Sequence, residues 1–183
     1  MERTQTGRLF YIMGPSGAGK DTLLLYLKCW ADFRVAVAHR YITRERHQKG
    51  ENHVFLYERE YEARNAAGLF SMSWSSHGCR YGIGREIEFW MQQGLNVVVN
   101  GSRDAYNRIK QDFPFMQGVL VWAPEEVCRR RLLHRSREQE SEVLKRLDRK
   151  TSPGRGEGVP VVDNSGSVET AGETLRELVE AIY

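Results

Sequence analysis

Apolar residues run unbroken through Leu9-Phe10-Tyr11-Ile12-Met13, stop at Gly14-Pro15, and return after Lys20 as leucines at 23, 24, 25 and 27. The first run predicts a strand buried on both faces, and the second a helix from about Lys20 to Trp30 with a broad buried side. Val35-Ala36-Val37-Ala38 is a short strand that leads into His39-Arg40-Tyr41-Ile42-Thr43-Arg44 and then a polar loop through Gly50-Glu51-Asn52-His53. Glu58 to Ala67 reads as a helix closed by Gly68. Phe70 to Ser75 and Cys79 to Ile83 predict a hairpin around His77-Gly78, and Glu86 to Gln93 a helix stopped by Gly94.

Farther along, Asn96-Val97-Val98-Val99-Asn100 and Val119-Leu120-Val121-Trp122 are short apolar runs of the kind parallel sheets bury. Tyr106 to Asp112 is a helix between them, and Pro124 opens another that runs to about Arg135. Ser141 to Arg149 is a further helix, a Gly-rich loop from Ser152 to Gly158 follows, Val159 to Asp163 is the last strand, and Val168 to Ile182 closes as an amphipathic helix. This alternation predicts an α/β fold: a parallel central sheet with helices on both faces, and ligand at the carboxyl ends of the strands.

At 183 residues the chain fits one domain with one core. Its formal net charge of +3 conceals two arginine clusters, between Arg34 and Arg46 and between Arg129 and Arg149, which point to anionic ligands. No nucleic-acid-binding motif accompanies them, so small phosphates, not nucleic acid, are the expected partners. Cys29, Cys79 and Cys128 lack metal-ligand spacing, and neither a secretory signal nor a membrane-length apolar span is visible. A reducing, cytoplasmic setting is expected, with no membrane partner.

The chemistry is concentrated in Gly14-Pro15-Ser16-Gly17-Ala18-Gly19-Lys20, which has the P-loop spacing between its predicted strand and helix. Such a loop turns successive N–H groups onto phosphate oxygens at a helix N-terminus, and its lysine reaches the terminal phosphates of ATP. The next position, usually a magnesium-binding Ser or Thr, is Asp21, followed by Thr22. A carboxylate is also a hard-oxygen ligand, so Asp21 is a candidate for Mg2+, directly or through water.

Several segments, in order, resemble the guanylate kinase group of nucleoside monophosphate kinases over nearly the whole chain. They are the P-loop, His39 with Ile42-Thr43-Arg44 and Gly50-Glu51, the stretch from Gly78 to Gly82 with Tyr81, and Arg131-Leu132 through Arg135, Arg137 and Arg146. The resemblance implies a P-loop nucleoside-monophosphate-kinase-like three-layer fold in one domain over 1–183. Its core would occupy about 7–34, 95–133 and 156–183, an acceptor-binding insert about 35–94, and a lid about 134–155. By the flanking matches, the group's two guanine-reading acids fall at Ser75 and near Asn100 or Ser102, none of them acidic here.

A narrower set of segments is similar to the ribose 1,5-bisphosphate phosphokinases: Lys20-Asp21, His39 to Arg44, Glu51-Asn52-His53, Tyr81-Gly82-Ile83-Gly84 and Val99-Asn100-Gly101-Ser102-Arg103. That resemblance implies transfer of the ATP γ-phosphoryl to the 1-phosphate of ribose 1,5-bisphosphate, giving phosphoribosyl pyrophosphate in phosphonate use. The accepting oxygen is already ionised near neutral pH, so catalysis needs alignment and charge screening and no general base.

Lys20, Arg44, Arg135 and Arg146 are the expected catalytic residues, and Gly14 to Thr22 the ATP cradle. Arg44 and Tyr81 are expected on the 1-phosphate, with Arg137 on the lid side and Glu51 beside the acceptor segment. Ser75, Asn100, Ser102 and Arg103, with Arg80 nearby, would receive the second phosphate in place of a base, since carboxylates there would repel it. Two alternatives stay open: a guanylate-type nucleotide kinase, and a non-catalytic guanylate-kinase-like protein-binding module, against which an intact Lys20 argues. A homodimer is also left open.

Overall fold

A computed structural model describes residues 6–30, 34–45, 52–135 and 158–181, with Arg135 described by its backbone alone. The elements follow as β1 (Leu9–Met13), α1 (Lys20–Trp30), β2 (Val35–Val37), β3 (Arg40–Ile42), β4 (His53–Phe55), α2 (Glu58–Ala66), β5 (Phe70–Ser76), β6 (Cys79–Gly84), α3 (Glu86–Gln92), β7 (Asn96–Asn100), α4 (Arg103–Asp112), β8 (Gln117–Trp122), α5 (Glu125–Arg135), β9 (Val161–Asp163) and α6 (Val168–Glu180). Five strands form an all-parallel sheet in the order β2-β7-β1-β8-β9.

The apolar run of β1 lies at the centre of this sheet because alternate residues bury into different layers. Phe10 and Ile12 join Leu23, Leu24 and Leu27 of α1 and Ala171, Leu175 and Val179 of α6. Leu9, Tyr11 and Met13 join Ile87 and Met91 of α3, Ile109 of α4 and Met72, Trp74 and Ile83 of β5 and β6. On the first face α1 and α6 approach so closely that a Cβ on Gly172 would lie 2.4 Å from the Tyr26 ring. The result is the expected three-layer arrangement.

A second, four-stranded sheet, β4-β3-β6-β5, covers part of the other face. Its β5–β6 hairpin turns through His77 and Gly78, both at positive φ (52° and 72°), a two-residue turn matching strand twist. The structure differs from the sequence reading in several places. β2, at the start of the expected acceptor-binding insert, pairs with β7 in the parallel sheet. β3 and β4, read as lead-in and loop, are paired strands. α4 starts at Arg103, three residues before the expected Tyr106, and β9 starts at Val161. The helix predicted over 141–149 and most of the expected lid lie outside the described residues.

Candidate active site

The phosphate loop follows β1 at the carboxyl edge of the parallel sheet, the place where open α/β sheets bind ligands. Gly17 and Gly19 take positive φ (82° and 89°), which lets the loop turn its amides inward. Both glycines are also steric necessities. A Cβ on Gly17 would lie 2.6 Å from the Cys128 carbonyl oxygen of α5, and one on Gly19 2.3 Å from the Asn164 amide nitrogen. Asn164, buried just after β9, donates from Nδ2 to the Ala18 carbonyl at 2.7 Å, tying the loop to the last strand.

Lys20 turns its ammonium inward, donating to the carbonyls of Gly14 at 2.7 Å and Pro15 at 3.0 Å. Burial lowers its pKa from the ordinary 10.5 to about 8; Asp21 opposes the shift, while Arg40 and Arg103 add to it. Arg103 therefore stands within electrostatic reach of Lys20, at the first turn of α4.

Asp21 Oδ1 accepts from Arg40 Nη2 at 3.1 Å and from Asn100 Nδ2 at 2.8 Å. Because both donors go to Oδ1, Oδ2 is the oxygen available to a cation, beside the Thr22 hydroxyl group in sequence. One hard carboxylate oxygen next to a phosphate cradle fits magnesium, which usually keeps its waters and takes one or two carboxylates plus substrate phosphates. Among the described residues no group of three or more His, Cys, Asp or Glu forms a separate metal cluster.

Asn100 ends β7 and is 3% exposed. The chain then passes Gly101, where a Cβ would lie 1.9 Å from Tyr11 Cζ, and reaches Ser102, the residue before α4. The Tyr11 hydroxyl donates to the Ser102 carbonyl at 3.0 Å and accepts from the Ser102 amide at 2.9 Å. Burial pushes the Tyr11 pKa up to about 12.

The second sheet brings its own residues to the cleft. Ile42 pairs with Tyr81 across β3 and β6, and the Thr43 amide donates to the Arg80 carbonyl at 3.1 Å, so Arg44 and Tyr81 lie at the same end of the ladder. Tyr81 stacks flat on Trp74, 5.4 Å between ring centroids, and its carbonyl accepts from Tyr61 at 2.8 Å. His53 Nε2 lies 3.2 Å from the Arg44 carbonyl, a structural contact at the backbone.

Two of the residues expected near the second phosphate lie side by side on the β5–β6 hairpin. Arg80 gives its guanidinium to Glu58 at 3.2 Å and Glu62 at 3.0 Å on α2. Ser75 is its cross-strand partner, hence on the same side of the hairpin, and is exposed. Strand alternation separates the neighbours: Trp74 takes the core side and Ser75 the other. Glu51, Arg137 and Arg146, and the Arg135 side chain, lie outside the described residues.

Arg131, which the sequence reading named with the lid arginines but gave no role of its own, lies beside the phosphate loop. Its Nη1 is buried without a hydrogen-bond partner, 3.7 Å from where a Cβ on Gly19 would stand. Cys128 of the same helix packs on the loop at Gly17, and a residue three positions on shares its helix face.

A parallel sheet with a phosphate loop after its central strand, and a cleft roofed by a small second sheet, defines a P-loop kinase of the guanylate kinase type. Guanylate kinase from Anaplasma phagocytophilum matches the structure with a TM-score of 0.67 over 96% of this chain and 85% of that one, at 15% identity, a likeness of fold. No protein-family model matches the chain. Curated relatives do. It is 45% identical to the ribose 1,5-bisphosphate phosphokinase PhnN of Thiobacillus denitrificans over 94% of this chain and 93% of that one. To the protein of the same name from Desulfomicrobium baculatum it is 46% identical, over 94% of each. The chain belongs to the ribose 1,5-bisphosphate phosphokinase family.

Proposed function

We propose that this protein transfers the γ-phosphoryl group of ATP to the 1-phosphate of ribose 1,5-bisphosphate, releasing ADP and 5-phospho-α-D-ribose 1-diphosphate, as a cytoplasmic step of phosphonate catabolism. The observation that carries the reading is the wall of the cleft beside the phosphate loop. Asn100 stands there as a neutral amide bonded to Asp21, which also holds Arg40, and the resemblance puts a guanine-reading carboxylate at or near Asn100 or Ser102. Family membership gives the same substrate, the one its relatives are named for.

In this reading the loop from Gly14 to Gly19 holds the ATP phosphates with its amides, and Lys20 exchanges its two backbone carbonyls for phosphate oxygens. Asp21 and Thr22 would hold Mg2+, which would screen charge between the two substrates' phosphates. Arg131 binds the nucleotide's phosphates beside Gly19. Arg44 and Tyr81 bind the accepting 1-phosphate, while Ser102 and Arg103 at the start of α4 face the 5-phosphate. Arg135, Arg137 and Arg146 close over the transferring group, excluding water, and Glu51 borders the acceptor segment. The attacking oxygen is an ionised phosphate, so no side chain removes a proton; rate comes from alignment of two anions within a cationic frame.

Incubation of the protein with ATP, magnesium and ribose 1,5-bisphosphate, followed by phosphorus NMR, tests this. A coupled pair of diphosphate resonances belonging to a sugar product is expected. Diphosphate signals from ADP alone would overturn the reading.

A further inference from the structure

The residue at the end of the phosphate loop and the first residue of β3 are joined by an ion pair that neither motif calls for. Arg40 is fixed at its backbone, its amide donating to the Asn52 carbonyl at 3.0 Å. Its side chain, 14% exposed, reaches across to Asp21 Oδ1 with one terminal nitrogen, at 3.1 Å. Nε of the same guanidinium is buried and has no hydrogen-bond partner. Native proteins satisfy nearly all buried donors, and one left open in a cationic cleft asks for an acceptor from outside the chain. Asn100 shows the complementary defect: Nδ2 is used on Asp21, and Oδ1 is buried with no partner.

Charge makes the same demand. Among the described residues, Arg40 and Arg103 both act on Lys20, and Asp21 is the carboxylate that opposes them, so positive charge outweighs negative around the lysine. A phosphate supplies both the negative charge and the acceptor oxygens, and a guanidinium held by one edge presents its remaining donors in a fixed plane.

We propose that Arg40 is a further phosphate-binding residue of this site, held in place by Asp21 and Asn100 as positioning residues. Asp21 thus does at Oδ1 what the usual Ser or Thr cannot: it anchors an arginine from the second sheet against the phosphate loop. Arg40 comes from the sheet that carries Arg44 and Tyr81, so the phosphate it takes is the acceptor's 1-phosphate; the γ-phosphate of ATP is the other source of the same chemistry. The assignment rests on the sugar bisphosphate reading above.

Isothermal titration of the full chain with ribose 1,5-bisphosphate, and separately with magnesium and a non-hydrolysable ATP analogue, separates the sources. Arg40→Gln should weaken the sugar bisphosphate by about tenfold or more, and Arg40→Lys, which keeps charge but not the fork, by less. The ATP analogue should stay within about twofold, which also shows that the variants are folded. Asp21→Asn should weaken sugar binding in the natural background and add almost nothing to Arg40→Gln, because the carboxylate acts through the arginine. Loss confined to the ATP analogue would overturn the acceptor assignment and give the donor to the γ-phosphate. Unchanged binding of both, or equal loss of both, would overturn a phosphate role for Arg40. Failure of the natural protein to bind ribose 1,5-bisphosphate would instead refute the substrate reading itself.

Discussion

Tyr11 grips both backbone groups of Ser102 with one hydroxyl, donating to its carbonyl and accepting from its amide, 91 residues away in sequence. The ring stands on β1, four residues before the loop proline, and Ser102 is where β7 gives way to α4. One side chain thereby sets the distance between the ATP cradle and the wall that carries Asn100 and Arg103. Gly101 has no Cβ because the ring occupies that space.

Tyr11→Phe keeps the ring and removes both hydrogen bonds. It should lower unfolding stability by about 1–2 kcal/mol, since two part-buried peptide groups lose their partner. The Michaelis constant for the acceptor should rise more than that for ATP. Urea denaturation and steady-state kinetics read the two effects, and equal changes in both Michaelis constants would contradict the positioning role.

Lys20 gives a pH dependence with a definite sign. Its folded pKa, about 8, lies below the unfolded 10.5, so between these values the unfolded chain binds more protons and stability rises with pH. Below about 8 the buried ammonium is at its most destabilising. Lys20→Met should therefore stabilise the ligand-free protein near pH 7, by an advantage that shrinks towards pH 10.5, while cutting turnover by roughly a hundredfold or more. Denaturation of both proteins across this range checks it; a constant difference would contradict it.

Asn100→Asp tests the neutral cleft wall. The new carboxylate would face Asp21 Oδ1 where an amide now donates at 2.8 Å, exchanging a hydrogen bond for like-charge repulsion. The variant should be less stable than the natural protein at pH 7. Its acceptor Michaelis constant should rise by about tenfold or more with ATP's nearly unchanged. Thermal unfolding of both proteins and steady-state kinetics, at pH 7, provide the readout.

Arg131→Met keeps much of the side-chain volume beside Gly19 and removes the buried, unpartnered Nη1. Affinity for a magnesium-bound ATP analogue should fall by about tenfold, while that for ADP falls less if the contact is to the γ-phosphate. Equilibrium titration with both nucleotides measures this.

How much of this was legible from sequence depends on whether the cause is local. The strand, loop and helix from Leu9 to Trp30 were readable because apolar run, glycine spacing and leucine pattern all lie within one stretch. Strands β7 and β8 announced themselves as apolar runs. Strands β3 and β4 did not: each has three residues, and only pairing with partners far along the chain makes them strands. The site divides in the same way. Lys20 and its glycines come from one motif, whereas the Asp21, Arg40 and Asn100 cluster is assembled from three elements by tertiary contacts.

The central claim is that the cleft beside the ATP cradle takes a doubly phosphorylated pentose in place of a nucleotide. A coupled ADP-release assay offering ribose 1,5-bisphosphate, GMP, AMP and gluconate separately, at matched ATP and magnesium, tests it most directly. The account predicts that kcat/KM for ribose 1,5-bisphosphate exceeds that of every other acceptor by about a hundredfold or more. GMP as the preferred acceptor would contradict it.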